Sequence, residues 1–166
     1  ADAARQAIGV AACDIDGDGL EELYILNTDT FAGQKRFADG LFDYADGEWT
    51  DLFALGINSR MLNLTAGRSV ASVDRLGMGR YGFFVVNYGG PMRLYELDDD
   101  GRLADVAPLA HLNHVTGGRS VLALPLISDG MDIFSGNEGG ANYLFRNNGD
   151  GTFFNVADTV NLDDPS

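Results

Sequence analysis

Apolar residues along the chain fall in short runs, each broken by residues that favour turns. The first run, IGVAAC (Ile8–Cys13), has counterparts in RSVASV (Arg68–Val73) and RSVLAL (Arg119–Leu124). A polar or glycine-rich loop follows each. The second runs are ELYILN (Glu22–Asn27), GFFVVN (Gly82–Asn87) and DIFSGN (Asp132–Asn137). Third runs appear at LFDY (Leu41–Tyr44), RLYEL (Arg93–Leu97) and NYLFR (Asn142–Arg146), and fourth runs at EWTDL (Glu48–Leu52), RLADV (Arg102–Val106) and TFFNV (Thr152–Val156). Between third and fourth runs stand ADG, DDDG and NNGDG. Asp, Asn and Gly tolerate positive φ, so each of these marks a tight hairpin.

Four short strands recurring every 50–60 residues predict an all-β chain built of β-propeller blades, each of four antiparallel strands. The string GRSV at Gly67–Val70 and Gly118–Val121 fixes the repeat. The blades span residues 7–66, 67–117 and 118–166 of a single segment. Connectors Phe53–Ala66 and Ala107–Gly117 carry the chain from one blade to the next, and Trp49 and the Phe-rich outer strands are expected to pack between blades. Propellers usually close with four to eight blades. Three blades are therefore expected to be part of a larger propeller, or to be completed by oligomerisation with a second copy.

The loop between the first two runs carries the chemistry. In CDIDGDGLEELY, carboxylates alternate at Asp14, Asp16 and Asp18, with Gly17 and Gly19 allowing a sharp turn. Calcium takes six to eight oxygen ligands and tolerates irregular geometry. The expected donors are the Asp14, Asp16 and Asp18 side chains, the Leu20 carbonyl, and Glu22 directly or through water. Magnesium demands a stricter octahedron, and zinc favours His and Cys. An EF-hand would need Glu at position twelve, where Ile25 stands, and flanking helices. The second loop, DRLGMGRYG, keeps Asp74 but has Leu76, Met78 and Gly82 at ligand positions; the third, PLISDGMD, is shortened. One calcium site is therefore predicted, with hydrophobic packing holding the other two turns. NNGDG (Asn147–Gly151) reads as a hairpin turn before a second site.

Charge narrows the partners. A net charge of −14 and a pI near 4.2 argue against nucleic acid and against anionic membranes, both of which require clustered Lys and Arg. No apolar run is long enough to span a bilayer, and ADAARQAIGV lacks a signal pattern. Cys13 is the only cysteine and reads as a small buried residue. His111 and His114, in HLNH, read as loop residues before metal ligands. Asn63-Leu64-Thr65 has the form of a glycosylation sequon.

VAACDIDGDGLEELYILN resembles the FG-GAP repeat of integrin α-subunits, and YLFRNNGDGTFFNVA resembles the outer hairpin of that repeat. AIGVAACDIDGDGLEELYILNT, AGRSVASVDRLGMGRY, TGGRSV and NYLFRNNGDGTF together resemble the cartilage acidic protein family across nearly the whole chain. This resemblance implies a secreted protein (periplasmic or at the cell surface if bacterial) with an integrin-α-like propeller that binds an extracellular protein or matrix component. It places the family's metal positions on Asp14, Asp16, Asp18, Leu20 and Glu22. Full-length members carry further blades and a C-terminal domain that this sequence lacks. The expected function is non-enzymatic. The alternatives are a propeller-based polysaccharide lyase or hydrolase, and a purely structural segment.

Overall fold

The computed structural model describes residues 5–164. Residues 1–4, at the head of the stretch read for a signal pattern, and 165–166, at the end of the third expected blade, lie outside the described residues. The fold is all-β, with strands curled into a half-barrel. Among the described residues, twelve strands follow one another as β1 Ala7–Cys13, β2 Glu22–Asn27, β3 Gly40–Ala45, β4 Glu48–Asp51, β5 Gly67–Val73, β6 Gly82–Pro91, β7 Arg93–Leu97, β8 Leu103–Asp105, β9 Val115–Leu124, β10 Asp132–Asn137, β11 Tyr143–Asn147 and β12 Phe153–Asn155. They form three antiparallel meanders, β1–β4, β5–β8 and β9–β12, each strand pairing with the next.

Most strand limits fall within a residue or two of the apolar runs. The exceptions are β6 and β9, which run on past their meanders and pair with each other through Tyr88↔Gly117 and Pro91↔Val115. This merges the second and third units into one eight-stranded sheet. The pairing joins segments distant in sequence, so no local pattern announces it. A backbone seam ties the first unit to the second: Gly33 N–H donates to the Tyr88 carbonyl, and Ala66 N–H to the Gly33 carbonyl.

Strand alternation sorts side chains onto two faces. On β6, Phe83 and Val85 pack with Tyr24, Leu26 and Leu41 of the first unit, while Phe84 and Val86 pack with Ile133, Phe145 and Phe153 of the third. Both faces of β6 are buried, which is why GFFVVN reads as continuously apolar. Tyr24 lies 5.4 Å from the Phe83 ring and 6.1 Å from that of Tyr95, centroid to centroid. Equivalent positions follow from register: Leu23↔Phe42, Phe83↔Tyr95 and Ile133↔Phe145 are one pair repeated, as are Tyr44↔Trp49, Leu97↔Leu103 and Asn147↔Phe153.

Trp49 therefore departs from expectation. Leu103 and Phe153 are buried against the preceding unit, but Trp49 is 53% exposed and meets the Tyr44 ring at a tilt, 5.0 Å away. Among the described residues, no unit covers that face. The Asn63 sequon is likewise structural. Asn63 is fully buried, and its Nδ2 donates to Asp39 Oδ2 (2.7 Å) and Asn87 Oδ1 (3.0 Å), leaving no room for a glycan. Asp39 also accepts from the Tyr24 hydroxyl (2.8 Å) and the Asn27 N–H (2.7 Å), and forms a buried ion pair with Lys35. Burial lowers the Lys35 pKa against the pull of Asp39.

Candidate metal centre

The loop from Asp14 to Glu21 joins β1 to β2, and Glu22 opens β2 opposite Cys13. Gly17 and Gly19 adopt φ of +83° and +91°, a region costly for residues with a Cβ. The Asp14 carboxylate gathers this turn: Oδ1 accepts from Gly17 N–H (2.6 Å) and Oδ2 from Gly19 N–H (3.0 Å). Asp16 accepts from Asp18 N–H (3.0 Å), and Asp18 from Leu20 N–H (2.7 Å). Leu20 is half-exposed at the end of these turns. Ile15, fully buried, wedges into the core shared with the second unit and anchors the loop.

Oxygens of Asp14, Asp16 and Asp18 lie within 4.8 Å of one another, and so do oxygens of Asp16, Glu22 and Asp43. The predicted carboxylates thus fall into two groups that share Asp16. Glu22 is fully buried. Its Oε2 accepts from Ile15 N–H (2.8 Å), but its Oε1 has no hydrogen-bond partner. Burial pushes the Glu22 carboxyl up to about 7; the Ile15 hydrogen bond opposes this, and the charges of Asp16, Asp43 and Asp18 add to it. Asp43, on β3, also has a buried oxygen without a partner. Its pKa is raised by burial and then by Asp16 and Asp18. A bound cation would relieve both groups, since opposite charge favours ionised carboxylates. The oxygen-only donor set suits a hard ion such as calcium. Asp16, Asp18 and Asp43 also line an open cleft of about 410 Å³, whose far wall carries Asp98 and Asp99 of the β7–β8 turn.

The other two loops are not held by hydrophobic packing, as the sequence suggested, but by carboxylates that collect backbone N–H groups. Asp74 Oδ1 accepts from Gly77 (2.8 Å) and Met78 (3.2 Å), and its Oδ2 from Gly79 (2.7 Å). Asp74 and Asp14 thus organise equivalent turns. In the third unit Asp132 occupies the place of Glu22. It accepts from the N–H groups of Leu126, Ile127, Ser128 and Asn147 and from the Ser128 hydroxyl. Burial would raise the Asp132 pKa, but these donors outweigh it and the pKa is lowered. Turn polarity was visible in sequence; the convergence of N–H groups on one carboxylate required the backbone path. NNGDG forms the β11–β12 hairpin, with Asn148 N–H donating to the Thr152 carbonyl (3.0 Å). His114 stacks on Phe145 and lies tilted against Tyr143, and among the described residues neither histidine joins a metal-capable cluster.

Cartilage acidic protein 1 of Xenopus tropicalis is 47% identical over 95% of the chain, and that of Homo sapiens 45% identical over 96%. The chain is homologous to one stretch of cartilage acidic protein 1. The Mus musculus cartilage acidic protein 1 agrees, at 43% identity over 96% of the chain. The chain spans about a quarter of the length of these curated relatives (26–27%). No family model matches it. Similarity to cartilage acidic protein 1 thus covers all three meanders, the acidic loop included.

Asp43 is the member of this acidic cluster that sequence reasoning missed. Its signal was faint: one carboxylate in the otherwise apolar strand LFDY. Distance along the chain hid its neighbours, because β3 pairs with β2 and only the folded sheet sets it beside the loop.

Proposed function

We propose that the chain is a non-enzymatic segment of an extracellular, FG-GAP-type β-propeller in which one calcium ion staples the first unit. Its outward loops bind a protein or matrix component. The observation that carries the calcium reading is the buried Glu22 oxygen without a partner, set among the carboxylates of Asp16 and Asp43. An uncompensated carboxylate in a protein interior is costly unless paired or bound to a metal. The propeller reading is supported by the meanders packing face to face in the same way twice, β2 and β3 against the second unit and β6 and β7 against the third. The extracellular matrix setting rests on the name of the cartilage acidic protein relatives. Among the described residues, no helix is long and apolar enough to cross a membrane.

Thermal melts at neutral pH in millimolar calcium and in EDTA test the staple. Extracellular calcium modules bind at about 10⁻⁴–10⁻³ M, so millimolar calcium is expected to raise Tm by several degrees. Superimposable melts would remove calcium from this reading.

A further inference from the structure

The three units differ at one register position of the third strand. Leu41, Leu94 and Leu144 pair with Tyr24, Phe84 and Phe134. Two residues on in each strand stand Asp43, Glu96 and Arg146. In the second unit Glu96 holds a cation that belongs to the protein. The Arg75 guanidinium, from the loop residue following Asp74, donates to Glu96 Oε1 (2.5 Å) and Oε2 (3.0 Å). In the third unit the position is Arg146, and the buried Asp132 has its own donors. In the first unit, among the described residues, no ion pair joins a guanidinium to Asp43, whose buried oxygen lacks a partner. The loop residue equivalent to Arg75 is Ile15, and it is buried in the core.

Asp43 therefore has the carboxylate without the cation. One of its oxygens is buried and lacks a partner, and a carboxylate oxygen lies within 4.8 Å of oxygens of Asp16 and Glu22. Glu22, fully buried, contributes a second oxygen without a partner to the same group. Two such oxygens beside a third carboxylate repel one another unless a positive charge lies between them.

We propose that Asp43 is a ligand of the cation at the first loop, supplied from β3, and that the Arg75 guanidinium takes the corresponding place in the second unit. This rests on the calcium reading of the loop. The consequence is a site that spans loop and sheet. The cation would pin the loop to β3 as well as closing it on itself, and Asp43 would raise the carboxylates at the site from four to five. Calcium affinity rises with ligand charge and site rigidity, so this residue would set the affinity of the site.

Calorimetric calcium titration of the full chain tests this, comparing wild type, Asp43→Asn and Glu96→Gln. Asp43→Asn is expected to weaken calcium binding at least tenfold and to raise Tm in EDTA, because it removes a repelling charge. Glu96→Gln is expected to leave calcium affinity unchanged and to lower Tm in EDTA, because it breaks the Arg75 pair. Wild-type affinity in a folded Asp43→Asn variant would overturn the proposal. So would a lowered Tm in EDTA with unchanged affinity, the mark of a purely structural aspartate. If Asp43→Asn misfolds, Asp43→Ser makes the same comparison with a smaller side chain. Absence of calcium binding by the wild type would instead overturn the calcium reading itself.

Discussion

Glu22 is fully buried, one of its oxygens lacks a partner, and burial pushes its carboxyl up to about 7 from an ordinary 4.5. A carboxyl raised in the folded state stabilises the fold most below pH 4.5, where both states are protonated. That stability is lost as pH rises through about 7, because the unfolded chain ionises first. In EDTA, denaturant-derived stability is therefore expected to fall between pH 5 and pH 8, and Glu22→Gln is expected to flatten that slope. Calcium favours the ionised form and is expected to suppress the slope in wild type. A wild-type profile in EDTA that is flat or rises over this range would contradict the assignment. Asp14 was legible as part of a candidate cation loop. Its engagement with Gly17 and Gly19, mirrored by Asp74 in a loop without the other carboxylates, shows that it also has a role in building the turn.

At the scale of the element, the connector between β3 and the preceding strand is held by polar burial. Asp39 is surrounded by Lys35, Tyr24, Asn27 and Asn63, and Asn63 reaches on to Asn87 of the second unit. Removing one partner of a buried ion pair strands the other, at a cost of about 3–5 kcal/mol. Asp39→Ala is expected to destabilise the chain by that amount in equilibrium denaturation, since it orphans a buried ammonium and three further donors. A loss below about 1 kcal/mol would mean that water or rearrangement satisfies them. Little of this network was legible. Lys35 and Asp39 belong to no motif in the sequence, and Asn63 read as a sequon. Their burial depends on the first connector folding back onto β6, a contact between distant segments.

Over the whole molecule, the second unit presents one face to the first unit and the other to the third. The first unit's backward face carries Tyr44 and Trp49, both exposed, at positions buried in the other two units. Trp49 is the only tryptophan and so reports on this face. In the isolated chain its fluorescence is expected to be red-shifted and quenched by acrylamide. In a longer polypeptide supplying another four-stranded unit, the emission is expected to shift to the blue and become protected. A blue shift that grows with concentration of this chain alone would assign the face to a second copy. Trp49 remaining open to quencher in the longer protein would refute the packing of a further unit there.

The order of apolar runs and turn residues determined the strands, because side-chain alternation and positive-φ turns are local properties. It determined the threefold repeat for the same reason. Alternating aspartates at 14, 16 and 18 marked the candidate cation loop, since ligand spacing within one turn is also local. Tertiary structure decided what depends on proximity between distant segments. It merged the second and third units through β6 and β9, buried Asn63 beside Asp39, and left Trp49 exposed where its counterparts are covered. It also carried Asp43 to the acidic loop from another strand. CDIDGDGLEELY could specify a turn with carboxylates inside it; only the sheet could bring a further carboxylate to that turn.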